Sequence, residues 1–398
     1  MTSDRAKQRA LRLALGIFRL QPAGGLERHA LRIAGVLAER GHDVTLYTTQ
    51  GTDSAPTGVK LSLLPNDGRT NHGSMDAFGQ RFAEVGTDAE LRIGFQRLPG
   101  LDVLFCADWC YLDRDHPKWA PLLPRYRTLT RLERACFDPS SKTKIITLSA
   151  PQLAAYVRAH GTQADRTVVL PPTIDPAHRA TEPTDAAKRA AARHHFDLPE
   201  RAVVWLWIGL QPMVKGLDRT LEALAKHPEA MLLICGTDRT NRKTASLLAA
   251  AERAGSGSRI RVVGMASDTQ LKAAFAAADF LVHPARLDVT ATVILEAMAN
   301  GLPVVTTANC GFAPHVDAAN AGLVVPVPFE QRVFETALTH AANAPRETWS
   351  RHAITYCANP RLYSGIEHAC NLIEAGGNDE DWRRAAQAAE AGLSAPKP

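Results

Sequence analysis

The sequence has no long hydrophobic run: none of its apolar stretches approaches the ~18–20 residues that a helix needs to cross a bilayer. The first segment, residues 9–20, has arginines around a short apolar stretch. It lacks the long hydrophobic region and the small-residue cleavage site of a secretory signal. We therefore expect a protein that is made and kept inside the cell.

Closely spaced metal-binding or redox cysteines are also lacking. The seven cysteines are scattered without a CxxC pair, and no second Cys or His pair accompanies Cys106 and Cys110 at zinc-finger spacing. Such a set is typical of reduced thiols in a cytosolic protein. The absence of HExxH, GxSxG and Walker patterns argues against metal, hydrolase and kinase chemistry. We expect no bound metal and no cofactor.

A strong charge of either sign is missing as well. The 398 residues include 46 Lys and Arg against 41 Asp and Glu, a net charge of +5 that is too weak to indicate a genomic nucleic-acid binder. The hydrophobic share of 45% and the charged share of 22% are ordinary for a globular protein. At ~150 residues per domain, this length predicts two to three domains.

Short apolar, β-branched runs alternate with segments of helical period along the chain. This alternation predicts an α/β protein whose parallel sheets are covered by helices on both faces. The predicted strands span residues 11–18, 43–49, 60–64, 101–106, 144–148, 167–170, 202–208, 231–235, 260–263, 280–283, 303–306 and 323–325.

The alternation breaks once, at the polar, proline-containing stretch 174–201, which we interpret as a connection that includes a short helix. We therefore predict two Rossmann-like, doubly wound domains, residues 1–173 and 174–371. A C-terminal helix and tail, residues 372–398, is expected to pack back toward the first domain. Ligands of such sheets bind beyond the carboxyl ends of the strands, so the cleft between the two domains is the expected site.

Gly24 and Gly25 directly follow the first predicted strand and open an amphipathic helix. Glycine allows the backbone to approach a ligand closely, and the start of a helix favours an anion. The alternative is a tight strand-to-helix turn, which also needs glycine. The spacing is not that of the GxGxxG dinucleotide pattern.

Asp288 and Glu296 follow the predicted strand 280–283, the first in a loop and the second in the next helix. Carboxylates accept hydrogen bonds from vicinal hydroxyls, so this pair suits a sugar and a ribose. The alternative is a helix-capping Asp with an ordinary helical Glu. The apolar neighbours of Glu296 favour a function, because a charge in such a setting is costly without partners.

Lys215 and Asp108 also follow predicted strands. Lys215 lies just ahead of a helix start and is well placed for a phosphate, although a solvated lysine is an equal alternative. Asp108 comes just after the strand 101–106, where it faces the ligand-binding edge of the sheet or caps the next turn.

The segment 114–144 is basic and contains interspersed apolar side chains. It has eight Lys or Arg against three acids, a net +5 that equals the excess of the whole chain. This mixture favours attraction to an anionic membrane surface with shallow apolar insertion; a solvated helix face or a groove for another polyanion is the alternative. The residues expected to contact the membrane are Trp119, Arg125, Arg127, Arg131 and Arg134.

Taken together, these segments resemble the retaining glycosyltransferases of family four, which have the two-domain GT-B architecture. Within that family the sequence looks most like the lipopolysaccharide core glucosyltransferase I group, over residues 11–372. The glycine loop and the paired acids are shared by the whole superfamily, whereas three motifs are specific to the group. These are TNHG at 70–73, LPGLDV at 98–103 and ADWCY at 107–111.

The resemblance implies transfer of a hexose, with glucose as the best guess, from a UDP-sugar to an inner-core heptose of lipopolysaccharide. It implies retention of the anomeric configuration, no metal, and a peripheral position on the cytoplasmic face of the inner membrane. Segment 114–144 falls where the group has its membrane-associating region. Two alternatives are a UDP-sugar 2-epimerase of the same architecture and a catalytically weakened protein that binds sugar nucleotides.

The resemblance also implies roles for individual residues. Lys215 would hold the diphosphate, Glu296 the ribose hydroxyls and Asp288 the hexose hydroxyls. Asp108 would lie beside the acceptor as a base or an orienting group. The remaining donor-binding positions are Gly24, Gly25, Ala291, Thr292 and Val293.

Three positions depart from the family pattern. Asp288 stands where the family has Glu, Ala291 where it has Gly, and Val214 where a basic residue usually precedes the lysine. A lost hydrogen bond to a charged group is worth ~1.5–3 kcal/mol. We therefore expect weaker binding of the donor, or a different donor, unless another cation substitutes. The candidates for that cation are Arg179, Arg219 and Arg286.

Overall fold

A computed structural model describes residues 9–20, 24–51, 55–85 and 87–391. The contacts within the chain divide it into two compact units. The first unit comprises residues 1–172 together with 364–398, and the second comprises residues 173–363.

Strands and helices alternate along both units. The strands are β1 (Arg12–Gly16), β2 (Asp43–Thr48), β3 (Val59–Leu63), β4 (Leu91–Gly94), β5 (Val103–Cys106), β6 (Lys144–Thr147), β7 (Thr167–Val169), β8 (Val203–Ile208), β9 (Ala230–Cys235), β10 (Ile260–Gly264), β11 (Phe280–His283), β12 (Val304–Thr307) and β13 (Gly322–Val325). The α-helices are α1 (Gly25–Glu39), α2 (Asn71–Glu84), α3 (Pro124–Phe137), α4 (Ala150–His160), α5 (Ala186–His195), α6 (Leu217–Lys226), α7 (Arg242–Arg253), α8 (Asp268–Ala277), α9 (Thr292–Ala299), α10 (Ala313–Ala319), α11 (Gln331–Asn343), α12 (Arg346–Cys357), α13 (Gly365–Glu374) and α14 (Asp379–Glu390).

The first unit is built on a seven-stranded parallel sheet with the order β3-β2-β1-β4-β5-β6-β7. The sequence analysis missed β4, which has only four residues and carries Arg92 in its middle. Nevertheless β4 pairs with both β1 and β5 and so lies inside the sheet. The strand order reverses between β1 and β4, which places the ligand-binding crevice of this unit beyond their carboxyl ends.

The second unit is built on a six-stranded parallel sheet with the order β10-β9-β8-β11-β12-β13. Strands β9, β11 and β12 are buried at every position, as expected for strands covered by helices on both faces. The order reverses between β8 and β11. The loops that follow these two strands therefore meet at the switch point of a Rossmann-type sheet.

The polar stretch 174–201 belongs to the second unit and is not a free connection. Its helix α5 places Arg193 in the interior, where the guanidinium donates to the Ala277 carbonyl at 3.0 Å and to Asp279 at 2.8 Å. Phe196 and Leu198 are buried in the same core. The stretch is rich in polar and charged residues, and composition alone does not show that some of them are buried. It was therefore interpreted as a linker.

The last helices pack in the first unit. Glu374 of α13 accepts from Arg40 and from His42, each at 2.9 Å. Trp382 of α14 is fully buried. Residues 364–371 are therefore assigned to the first unit, and the domain boundary lies at 363 instead of the predicted 371.

Candidate active site

The loops after β8 and β11 meet through a lysine and an aspartate. Lys215 Nζ donates to Asp288 Oδ2. The next residue, Gly216, has φ of 74° and caps the start of α6. A Cβ at Gly216 would lie 2.1 Å from the carbonyl oxygen of Pro284. The close approach of the two loops therefore requires glycine at this position.

Asp288 is held by two further donors. His283 Nε2, at the end of β11, lies 3.1 Å from Asp288 Oδ2, and the Ala291 N–H donates to Oδ1 at 3.0 Å. Burial alone would raise the pKa of Asp288, but His283 and Lys215 lower it below its usual range. Burial would lower the pKa of His283, yet Asp288 and Cys310 raise it to about 9. The two side chains thus form a buried ion pair.

Ala291 adopts a left-handed conformation, with φ of 58° and ψ of 59°, immediately before α9. This conformation costs an L-residue roughly 1–2 kcal/mol, which glycine would not incur. Thr292 and Val293 form the first turn of α9, whose partial positive charge favours an anion. The predicted donor residues 291–293 therefore surround one helix start, beside Asp288.

Glu296 lies in α9, one helical turn after Thr292 and on the same side of the helix. It is half-buried, between the buried Leu295 and Ala297. The structure thus brings Lys215 and Asp288 together at one edge of the second sheet, and Glu296 follows one turn into the helix that starts there.

Three arginines were proposed to supply the positive charge that the family has at position 214, where this chain has valine. They differ in their contacts and exposure. Arg219 Nη1 donates to the Pro284 carbonyl at 3.0 Å, and its guanidinium lies 3.6 Å from the centre of the Phe329 ring. Arg286 forms a two-point ion pair with Asp218. Arg179 is exposed after a short 3₁₀ turn.

In the first unit, Gly24 caps α1 and Gly25 is its first residue. Among the described residues, a Cβ built on Gly25 would meet nothing within 4 Å, so packing against them does not require glycine there. Residues 21–23, which precede this helix start, lie outside the described residues.

Asp108 follows β5 with its carboxylate half-exposed and 3.2 Å from Arg97 Nη2. Its main-chain carbonyl accepts from Gln152 Nε2 at 2.7 Å and from the Tyr156 hydroxyl at 3.2 Å. The backbone is therefore fixed while the carboxylate stays accessible at the carboxyl edge of the first sheet.

The sequence analysis missed Glu133, a fully buried carboxylate behind Asp108. Glu133 accepts from Arg97 Nη1 at 2.6 Å, from the Tyr111 N–H at 2.7 Å and from the Leu112 N–H at 3.1 Å. Burial would raise its pKa, but His160 and Arg97 lower it to about 2. No sequence signal pointed to this role, because the pattern of a helix does not show what an acid on its buried face contacts.

Within the described ranges, Cys110, Glu133 and His160 form a group of potential metal ligands, with ligand atoms within 4.8 Å of one another. However, the carboxylate already accepts hydrogen bonds from a guanidinium and two backbone N–H groups. We interpret the group as a buried hydrogen-bond network that holds the loop of Asp108.

The basic segment 114–144 presents apolar and cationic side chains together. Trp119 is 59% exposed and Leu122 is 71% exposed, just before α3. On α3 itself four arginines are exposed: Arg125, Arg127, Arg131 and Arg134. In the part of the chain that the structure describes, no helix has the length and apolar character needed to span a bilayer.

Two parallel Rossmann-like sheets, with a lysine and carboxylates at the switch point of the second, are the features expected of a glycosyltransferase of the GT-B class. Sequence models of two families match the chain: "Glycosyltransferase Family 4" over residues 23–178 and "Glycosyl transferases group 1" over residues 189–355. The lipopolysaccharide glucosyltransferase WaaG of Escherichia coli K12 is 34% identical over 92% of this chain and 99% of the relative. The chain therefore belongs to the family 4 glycosyltransferases, in the lipopolysaccharide core glucosyltransferase I group.

Comparison with solved structures supports the same family and fold. The crystal structure of WaaG superimposes with a TM-score of 0.83 at 33% identity, covering 91% of this chain and 99% of that one. Sucrose-phosphate synthase from Thermosynechococcus elongatus, at 19% identity, reaches 0.72 over 89% and 96% of the two chains and shows the shared fold. The predicted family, GT-B fold class and enzyme class are confirmed.

Proposed function

We propose that this enzyme transfers glucose from UDP-glucose to an inner-core heptose of lipopolysaccharide, with retention of the anomeric configuration. The observation that carries the proposal is the similarity to the lipopolysaccharide glucosyltransferase WaaG over nearly the full length of both chains. The donor site supports it, because a cation, two carboxylates and a helix start lie together at the switch point of the second unit.

The donor diphosphate is proposed to take Lys215 away from Asp288. Lys215 Nζ and His283 Nε2 both donate to the same oxygen, Asp288 Oδ2. When the lysine moves to the phosphates, this oxygen gains room to accept from a hexose hydroxyl, while His283 still holds it. Lys215 then stabilises the charge of the leaving diphosphate, which is a major electrostatic contribution in such transfers.

Glu296 is proposed to bind the ribose hydroxyls, and the start of α9 is proposed to face the phosphates. Carboxylate oxygens accept from vicinal hydroxyls, and helix starts favour anions. The Ala291 methyl group narrows the approach of that backbone relative to glycine. With Lys215 and the helix start supplying positive charge, we propose that no metal takes part.

Asp108 is proposed to orient the acceptor hydroxyl, or to accept its proton. Its carboxylate is accessible, and Arg97 fixes its direction. Arg97 is in turn fixed by the buried Glu133. The acceptor thus meets a carboxylate whose position is set by charges behind it, an arrangement that reduces the entropic cost of reaction.

We further propose that the enzyme acts as a peripheral protein on the anionic cytoplasmic face of the inner membrane. The exposed Trp119 and Leu122 suit shallow insertion, and the arginines of α3 suit attraction to anionic lipid. An acceptor attached to a lipid would be presented at that surface.

The direct test is release of UDP from UDP-glucose, UDP-galactose and UDP-N-acetylglucosamine, with and without a heptose-terminated lipopolysaccharide acceptor. We expect release from UDP-glucose that depends on the acceptor. Release without acceptor, or release only from another donor, would contradict the proposal.

Two variants test the assigned roles. Lys215→Ala should abolish most turnover, and Glu296→Ala should weaken UDP binding in calorimetry, because a lost charged hydrogen bond is worth ~1.5–3 kcal/mol. Lys226→Ala is the matched control, since this lysine pairs with Glu335 on the outer side of the unit. A near-normal rate in Lys215→Ala, or unchanged UDP affinity in Glu296→Ala, would refute the corresponding role.

A further inference from the structure

The loop between β8 and α6, residues 209–216, is here called the lysine loop because it carries Lys215. Three of its apolar side chains, Leu210, Met213 and Val214, are exposed. Burial of these side chains therefore contributes little to its shape, and the loop depends on hydrogen bonds.

Three main-chain hydrogen bonds are local to the lysine loop. The Lys215 N–H donates to the Gln211 carbonyl at 2.9 Å, the Gly216 N–H to the Met213 carbonyl at 3.4 Å, and the Leu217 N–H to the Pro212 carbonyl at 2.8 Å. Trp207 Nε1, from β8, also donates to the Lys215 carbonyl at 3.1 Å. These bonds give the loop its turn but do not attach it to β11, whose following loop carries Asp288.

Arg286 makes that attachment from the loop after β11. Its backbone N–H donates to the Val214 carbonyl at 2.8 Å, and Nη1 donates to the Met213 carbonyl at 2.6 Å. Nη1 and Nη2 also bond the two carboxylate oxygens of Asp218, at 2.8 and 2.6 Å. The contacts of Arg286 therefore lie on both sides of Lys215 in the sequence.

We propose that Arg286 is a positioning residue that fixes the lysine loop so that Lys215 reaches Asp288 and, in turn, the donor. The planar guanidinium can bond a carbonyl and a carboxylate at once, which an ammonium group cannot do in the same geometry. Asp218, in the first turn of α6, sets the direction of the guanidinium. The effect of Arg286 on catalysis rests on the proposed function, whereas its effect on the conformation of the lysine loop does not.

Hydrogen exchange in the full-length protein, without any ligand, tests the loop directly. We expect Arg286→Gln to speed exchange of the peptide covering residues 209–217 by about tenfold or more, since the guanidinium bonds to Met213 and Asp218 are lost while the backbone bond to Val214 remains. Arg261→Gln is the matched control, because Arg261 also bonds backbone carbonyls and one aspartate, Asp197. Unchanged exchange in Arg286→Gln would overturn the proposal.

Kinetics separate positioning from direct contact with the donor. At saturating UDP-glucose with acceptor, Arg286→Gln should lower the rate about tenfold, and Arg286→Lys should not restore it. Added to Lys215→Ala, Arg286→Gln should cause no further loss, because it acts through Lys215. A fully multiplicative loss in the double variant would overturn the positioning role.

The two proposals fail in different ways. If the wild-type enzyme releases no UDP from any donor, the proposed function is wrong while the exchange experiment still decides the role of Arg286. If the wild type is active and Arg286→Gln matches it in both rate and exchange, only the positioning role is wrong.

Discussion

At the scale of single residues, Asp288 shows how a carboxylate one methylene shorter than the family's glutamate is accommodated. Its oxygen Oδ2 contacts both Lys215 and His283, and Oδ1 accepts from the Ala291 N–H at the start of α9. Lys215 follows β8, His283 is the last residue of β11, and Ala291 follows β11. The Asp288 side chain is therefore held by three hydrogen bonds at the carboxyl edge of the sheet. These bonds keep the carboxylate ionised although it is buried.

The His283 and Asp288 pair predicts a pH dependence of stability. The folded-state pKa of His283 is about 9, against 6.5 for an unperturbed imidazole. Its contribution to stability is therefore full below about pH 6.5 and is lost as the pH rises through about 9. The lowered pKa of Asp288 adds a contribution that is lost only in acid.

We expect His283→Gln to flatten the decline in the free energy of unfolding between about pH 6.5 and 9. Denaturant titrations at several pH values would measure it, with His352→Gln as the control, since His352 is only partly buried and bonds only the Asn320 carbonyl among the contacts described. A slope equal to that of the wild type would show that the imidazole does not carry its proton in the folded state.

Lys215, Asp288 and Glu296 could be singled out as candidates from the sequence because each follows a recognisable strand at the spacing of a motif. Sequence reasoning did not assign Glu133 or His283 a role. These residues matter through partners distant in the sequence, as with Arg97 and Glu133, which are 36 positions apart. Spacing along a chain carries no information about such contacts.

At the scale of elements, most strands were predictable because buried parallel strands are nearly continuous apolar runs. Strand β4 was not, because Arg92 interrupts a run of only four residues. Helix α5 was read as part of a linker because Arg189 and Arg193 give it a polar composition. Both arginines turn inward to Asp279, a pairing that only the folded unit reveals.

Helix α3 predicts membrane binding that depends on charge. Replacing its exposed arginines with glutamine should weaken binding to anionic vesicles by about 1 kcal/mol per residue. Co-sedimentation with phosphatidylglycerol vesicles, against phosphatidylcholine vesicles, would measure this. The replaced residues are Arg125, Arg127, Arg131 and Arg134.

The control replaces two arginines, Arg351 and Arg384, which are exposed on α12 and α14, and the loss of binding is compared per arginine replaced. Trp119→Ala should weaken binding further and independently of salt, because its contribution is apolar. Equal binding of the arginine variant and the control would show that α3 is an ordinary solvated helix.

At the scale of the whole molecule, each unit buries a tryptophan that belongs to one of its helices. Trp382 of α14 is fully buried in the first unit, and Trp349 of α12 is 9% exposed in the second. Replacing a buried tryptophan with alanine costs about 3–5 kcal/mol. The two positions therefore allow each unit to be weakened separately.

We expect Trp382→Ala to speed amide exchange in β1–β7 and to leave β8–β13 unchanged, and Trp349→Ala to do the reverse. Mass-spectrometric hydrogen exchange resolves the two sets of strands. Uniform acceleration in both units by either variant would show that the units do not unfold separately.

The attachment of α13 and α14 to the first unit has a consequence for biosynthesis. The ribosome finishes residues 173–363, the whole second unit, before it makes the last two helices of the first. Until then, the nascent first unit lacks the partner of Arg40 and His42 and the tryptophan that fills its interior. Completion of the first unit therefore waits until α13 and α14 have been made, and a message truncated after codon 363 would encode one finished unit and one unfinished unit.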